Sequence, residues 1–180
     1  MGGKRLVGQM AEKLTLHLDV VFRPARLDDL PKLEWFGQYA RYRRLFRRTF
    51  DEQQRGLRLM LLAEVRGFPV GQVFIHFSDR ECRRRQTDAR GYLYALRVLE
   101  PFQGQGIGSR LIAEAEQVLR ARGYRRAVIA AAKGNERARR LYERLGYAVY
   151  AEDTGDWDFV DDQGRVQHVH EPAWMMQKQL

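Results

Sequence analysis

The 180-residue chain has little of what staples a fold or anchors it elsewhere. Cys82 is its only cysteine, so no disulfide can form within it, and a reducing cytoplasm is the expected setting. No apolar run approaches the roughly 18 residues of a membrane span, so no membrane partner is expected. Lys4 and Arg5 have no apolar stretch behind them, which argues against a secretory signal. There is no internal repeat, no linker, and no cluster of residues that reads as a metal site. Lysine is scarce: five against 27 arginines, with none between positions 33 and 132. The net charge of +9 invites a nucleic-acid reading. The arginines are scattered along helix faces, however, and no RNA-binding aromatic motif or helix-turn-helix signature accompanies them. No specific nucleic-acid partner is expected, and the charge equally serves to attract a small anionic ligand.

What the chain has instead is a glycine-rich loop between a strand and a helix. Gly91–Leu99 reads as the strand; Leu111, Ile112, Ala115, Val118 and Leu119 recur at helical spacing. Between them, Gly104, Gly106 and Gly108 alternate within Gln103-Gly104-Gln105-Gly106-Ile107-Gly108-Ser109. Glycines there let backbone N–H groups converge without Cβ atoms in the way, and the helix aims its positive end at the same point. Such a loop suits a phosphorylated ligand. A dinucleotide fingerprint would need glycine where Ser109 or Leu111 stands, and a P-loop needs a lysine that is absent.

The spelling Gln/Arg-x-x-Gly-x-Gly/Ala does fit, from Gln103 to Gly108. A second pattern follows the apolar run Ala127–Ala132: Asn135, Ala138, Tyr142, Gly146 and Tyr147, in Asn-x-x-Ala-x-x-x-Tyr-x-x-x-Gly-Tyr. Asn135 is a natural helix N-cap, Gly146 a natural stop, and Ala138, Leu141, Tyr142 and Leu145 share one face. Together the two patterns resemble the coenzyme A loop and the following helix of the GNAT superfamily of N-acetyltransferases. Gln103 stands where arginine is commoner. The specific motifs lie within 91–147, and the likeness extends over roughly 18–180.

The rest of the chain agrees with a mixed α/β fold. Residues 1–14 read as a flexible N-terminal extension and 15–180 as one domain. A first strand is expected over 14–23, with Leu16, Leu18, Val20 and Phe22 alternating. Two helices are expected at about 30–39 and 41–54, the first opened by an Asp cap and Pro31. Leu57–Val65 and Val70–Phe77 flank Arg66-Gly67-Phe68-Pro69 and read as a hairpin. A polar loop, 78–90, carries Arg83, Arg84 and Arg85. Gly91–Leu99 and Arg125–Ala132 are the fourth and fifth strands, and Tyr147–Ala151 and Glu171–Leu180 the last two. The resemblance implies a partly antiparallel sheet of about six to seven strands flanked by helices, splayed between the fourth and fifth.

It also implies an activity: transfer of an acetyl group from acetyl-CoA, bound as cosubstrate, to a primary amine by direct attack. Backbone N–H groups between Gln103 and Ser109 would bind the pyrophosphate. The pantetheine arm would lie against Leu96 and Val98, with Asn135 and Ala138 beside it. A backbone N–H on the fourth strand would hold the developing oxyanion. An alkylamine of pKa about 10.4 must lose its proton, at about 4.6 kcal/mol at pH 7, whereas the thiolate, pKa about 8.5, leaves readily. Tyr142 is the expected general acid. The base stays open: many relatives carry a carboxylate where Tyr92, Tyr94 and Leu96 stand, and Glu100, His76, His168, His170 and Glu152 are only candidates.

Residues 152–162 carry six carboxylates and no base, so the other residues together carry +15. An acidic lip holding Asp156, Trp157 and Asp158 would attract a cationic amine of small-molecule or peptide kind; a solvated turn is the alternative reading. A catalytically silent acyl-CoA-binding module is the alternative function, and a homodimer is compatible with either.

Overall fold

The computed structural model describes residues 17–77 and 89–180. The expected N-terminal extension, the start of the first strand, Cys82 and Arg83–Arg85 lie outside the described residues. Nine strands are present among them: β1 (Val21–Pro24), β2 (Arg58–Val65), β3 (Phe68–Phe77), β4 (Arg90–Val98), β5 (Arg126–Ala132), β6 (Ala148–Asp153), β7 (Asp156–Val160), β8 (Val166–His170) and β9 (Ala173–Gln179). The α-helices are α1 (Arg43–Gln54), α2 (Ile107–Ala121) and α3 (Glu136–Arg144). Seven strands form one sheet in the order β1-β2-β3-β4-β5-β9-β6, antiparallel except for β4 beside β5; β7 and β8 pair separately as a hairpin. No described helix is long and apolar enough to cross a membrane.

Alternation along β2 shows how the sheet is buried on both faces. Leu59, Leu61 and Ala63 face a core shared with α2 and α3, while Met60 and Leu62 face a second core with α1 and Phe159. The β2–β3 turn is tight because Arg66 and Gly67 both take positive φ, 48° and 80°, matching the twist of the strands. Pro69, which has no N–H to donate, sits where the β2–β3 register slips between Ala63 and Glu64.

Two expectations change. The first helix is not α-helical over 30–39. Leu27–Glu34 is a 3₁₀ segment containing Pro31, and Trp35, Phe36 and Gly37 then take φ of 41°, 59° and 92°, which no right-handed helix allows. Trp35 is held in this strained place by burial and by its indole N–H, which donates to the Pro69 carbonyl at 3.0 Å. Asp29 anchors the same segment. It accepts from Arg23 at 2.7 and 2.9 Å and from the Arg26 N–H at 2.7 Å. The alternative reading of the acidic stretch, a solvated turn, gives way to the β7–β8 hairpin. Its Phe159 packs 4.9 Å from Tyr42.

One buried carboxylate ties the second half of the chain together. Glu116 on α2 accepts from Lys178 Nζ at 2.9 Å and from the Tyr147 hydroxyl at 3.1 Å, joining α2, β9 and the end of α3. Burial pushes the Tyr147 phenol up, so it stays a donor. Gly91 is fixed by packing: a Cβ there would lie 2.1 Å from Leu119 Cδ2, and Leu119 is fully buried. Gly91→Val is expected to destabilise the fold by about 1–3 kcal/mol through overpacking. Urea unfolding checks it, and an unchanged midpoint would mean that α2 can shift away from β4.

Candidate active site

The site begins where β4 and β5 part. Their parallel ladder holds Arg90–Leu93 to Arg126–Ile129 and then stops. On its other edge β4 carries a bulge. Between Gln72–Arg97 and Phe74–Tyr94 the register slips, so Ala95 and Leu96 oppose Val73 alone, and Ala95 takes φ of 52°. The Gln72 amide donates to the Ala95 carbonyl at 3.3 Å and steadies the kink. The bulge and the open seam together expose strand backbone to a cleft of about 690 Å³, lined along the seam by Ala95, Leu96, Ile129 and Ala130.

Val98 and the glycine loop, residues 103–109, do not themselves line this cleft; Gln103 ties the loop to β4 and to α3, whose Leu96 and Ala138 do. Gly104 and Gly106 are left-handed, φ 77° and 84°, and α2 starts at Ile107 with Gly106 as its cap. Residues 103–106 are exposed, with the helix start behind them. The Ile107 side chain is buried in the core, which leaves only its backbone for a ligand. Gln103 does two jobs: its amide N donates to the Val98 carbonyl at 2.8 Å, and its amide O accepts from Arg137 at 2.7 Å. Gln105 donates to the Pro101 carbonyl at 3.1 Å. Arg137 was not singled out from sequence; as the second residue of α3, it is a cation that the fold alone brings to this loop.

Asn135 caps α3, accepting from the Ala138 N–H at 3.0 Å, and lines the cleft with Ala138 and Tyr142. Tyr142 is 5% exposed, yet among the described residues its hydroxyl has no hydrogen-bond partner. Burial pushes its pKa to about 12, with Tyr92 adding to the effect. Tyr92 and Tyr94, on β4, stack 5.9 Å apart with rings nearly parallel. Burial raises both phenols. Neither is suited to take a proton. The Tyr94 hydroxyl also accepts from Arg58 at 2.7 Å.

The far rim is the β7–β8 hairpin. Asp156, Trp157 and Asp158 do line the cleft, joined by Asp153 and Glu171. The six carboxylates are not a bare acidic patch. Asp156 meets His170 at 2.5 Å and Asp158 meets His168 at 2.6 Å, cross-strand pairs that the hairpin register dictates. The His170 contact holds the Asp156 carboxyl below its ordinary value. Asp161 closes the turn, accepting from the Gln163 and Arg165 N–H groups at 3.0 and 2.8 Å, and Glu152 is paired with Lys133 at 2.5 Å. The other candidate bases are off the cleft: Glu100, Glu152, His76, His168 and His170 are not among its lining residues. Among the described residues, no group of three or more metal-ligating side chains is gathered.

Residues 25–147 match the acetyltransferase (GNAT) family. N-alpha-acetyltransferase 30 of Schizosaccharomyces pombe is 36% identical over 66 residues, covering 37% of this chain and 44% of that protein. N-alpha-acetyltransferase MAK3 of Arabidopsis thaliana is 35% identical over 89 residues, covering 49% of this chain and 44% of that protein. The chain thus spans less than half the length of these two relatives. The crystal structure of Arabidopsis thaliana NAA60 in complex with acetyl-CoA superposes with a TM-score of 0.69 at 18% identity, over 90% of this chain and 99% of that one. The match over more than half the chain, on a seven-stranded mixed sheet open between β4 and β5, places this protein in the GNAT acetyltransferase family.

Proposed function

We propose that the protein is an acetyl-CoA-dependent N-acetyltransferase, acting as one domain over residues 15–180 and transferring the acetyl group to a primary amine by direct attack in a ternary complex. The observation that carries this is the open β4–β5 seam. A kinked strand and a buried tyrosine with an unengaged hydroxyl meet one cleft there, and the glycine loop at the start of α2 is tied to the same strand and to α3 through Gln103.

In this reading the pyrophosphate takes backbone N–H groups from Gln103 to Ser109, with the α2 start contributing about 0.3–1 kcal/mol. Arg137 adds a cation at the same place. Leu96 and Val98 flank the pantetheine arm, and Asn135 and Ala138 face it from α3. The thioester carbonyl lies against the bulged backbone near Ala95, where an N–H stabilises the oxyanion. The amine enters from the β7–β8 side, drawn as a cation by Asp153, Asp156 and Asp158, with Trp157 beside it. It gives up its proton to solvent water at the cleft mouth, at about 4.6 kcal/mol at pH 7; the rim carboxylates hold the cation, and Asp156, kept below its ordinary value, is too weak a base to keep that proton. The names of the two curated relatives favour a peptide or protein N-terminal amine as the acceptor.

Tyr142 has a narrower part than an acid of ordinary pKa would. Full proton transfer from a phenol of pKa about 12 to a thiolate of pKa about 8.5 is uphill by roughly 4.8 kcal/mol. It acts instead by donating a hydrogen bond to the departing sulfur, an interaction worth about 1.5–3 kcal/mol with a charged partner.

Thiol release from acetyl-CoA, measured with polyamines, aminoglycosides, amino acids and short peptides, tests the activity. Stabilisation by coenzyme A with no release for any amine would instead fit a silent binding module. Tyr142→Phe is expected to lower kcat about 10- to 100-fold at an unchanged coenzyme A Kd; an unaltered kcat would return Tyr142 to a packing role. Gly106→Val forces a β-branched residue to φ 84° and puts a Cβ in front of the N–H groups. It should keep the circular dichroism of the parent and lose the rise in Tm that coenzyme A produces. Equal stabilisation of parent and variant would refute the phosphate assignment.

A further inference from the structure

Three arginines line the cleft, and they are not equally occupied. Arg58 is engaged twice, by the Glu52 carboxylate and by the Tyr94 hydroxyl at 2.7 Å. Arg48 lies 3.7 Å from Glu52 and is otherwise in solvent. Arg97 is different. It is partly buried on β4, and among the described residues no hydrogen bond or ion pair engages its guanidinium. It rests against two rings, 4.4 Å from the centre of Tyr39 and 5.2 Å from that of Tyr42. Burial pulls its pKa down from the ordinary value, as expected for a cation taken from water without a carboxylate in exchange. Aromatic faces fix the plane of the fork and leave its N–H edge for a ligand.

Arg97 does not point toward the glycine loop. Leu96 and Val98 pack with the core that contains α2, whereas Arg97 meets Tyr39 and Tyr42, which belong to the α1 core. The loop at the start of α2 and the guanidinium therefore lie on opposite faces of β4. Arg41 bears on Arg97 as a second cation, and the carboxylate that bears on it, more weakly and without bonding to it, is Glu171, which also lines the cleft. Its backbone is locked. The Glu171 N–H donates to the Gly155 carbonyl at 3.0 Å, and a Cβ on Gly155 would lie 1.8 Å from the Glu171 carbonyl. A partly buried cation and an exposed carboxylate on a held backbone thus line the same cleft without bonding to each other.

We propose that Arg97 is a specificity residue that binds a carboxylate carried by the acceptor a few bonds from its amine, so that the preferred acceptors are zwitterionic rather than simply cationic. The planar fork takes both carboxylate oxygens, and Glu171 with the hairpin acids receives the ammonium end before it is deprotonated. This rests on the cleft being an acetyl-acceptor site. The carboxylate could be the α-carboxylate of an amino acid or the side chain of an acidic residue at a peptide N-terminus; both present the same group to the fork.

Binding of acetylated products needs no turnover and tests the proposal separately from catalysis. The coenzyme A-loaded protein is titrated calorimetrically with N-acetylalanine against N-acetylalaninamide, and with N-acetyl-Asp-Ala-amide against N-acetyl-Asn-Ala-amide. In at least one pair the parent should bind the acid on the order of tenfold more tightly than its neutral partner; the pair that responds identifies the source of the carboxylate. Arg97→Gln should erase that preference and leave the Kd of coenzyme A as it was, while Arg97→Lys, a charge without the fork, should retain part of it. Equal binding of acid and amide by the parent, a preference that survives Arg97→Gln, or a weakened coenzyme A Kd in that variant would each overturn the proposal. Absence of thiol release with every amine would overturn the acetyltransferase reading instead, and leave this binding result to decide Arg97 on its own.

Discussion

The parallel ladder between β4 and β5 ends after Leu93 and Ile129, and most of the site's geometry follows from that early stop. β5 and β9 remain paired from Arg126 to Ala132, so the sheet is not weak in general. It opens at one seam. The core beneath that seam does not open with it: Leu111, Ile112, Ala115 and Leu119 of α2 pack with residues of β2 through β5 as one apolar body. Burial across the gap replaces the missing rungs, at roughly 25 cal/mol per Å² of apolar surface removed from water. Strand backbone can then be offered to a ligand without separating the two halves of the sheet.

The bulge at Ala95 sharpens the same feature. A left-handed alanine is costly, and the surroundings fix it from both sides, through the Gln72 amide below and the slipped β3 register beside it. One extra residue also changes which side chains face which way. Tyr92 and Tyr94 share the face toward α1, and after the bulge Leu96 and Val98 lie toward α2 while Arg97 takes the α1 face.

The arginine excess looks different once it is placed. Arg23 is bound by Asp29 and Glu64, and Arg43 by Glu34. Arg47, Arg110 and Arg139 pair with acids one helical turn away. Exposed pairs of this kind are worth about 0–1 kcal/mol each, so they stabilise little. Their effect is local, each carboxylate neutralising the arginine beside it on its own helix. Other arginines lay their stems on rings, as Arg122 does 3.9 Å from the centre of Phe77.

Sequence by itself determined the features whose causes are local. Left-handed turns at Gly104 and Gly106, the α2 start at Ile107, the Asn135 cap, the Gly146 stop at φ 88° and the Arg66–Gly67 hairpin turn each depend on a few neighbouring residues with one energetic preference. The strands flanking them were legible from apolar periodicity for the same reason. Tertiary structure decided everything whose partner is distant in the chain. Trp35 breaks the expected helix because Pro69 and the core hold its indole, and the acids after Glu152 form a hairpin because Phe159 finds Tyr42 and the aspartates find His168 and His170. Arg97 gave no signal in a strand-like run, since its isolation is a property of what lies around it, not of its neighbours in sequence. Local preferences are set by backbone sterics that every chain shares. Whether a charge is paired, or a helix yields to a buried ring, depends on long-range contacts that exist only once the chain is folded.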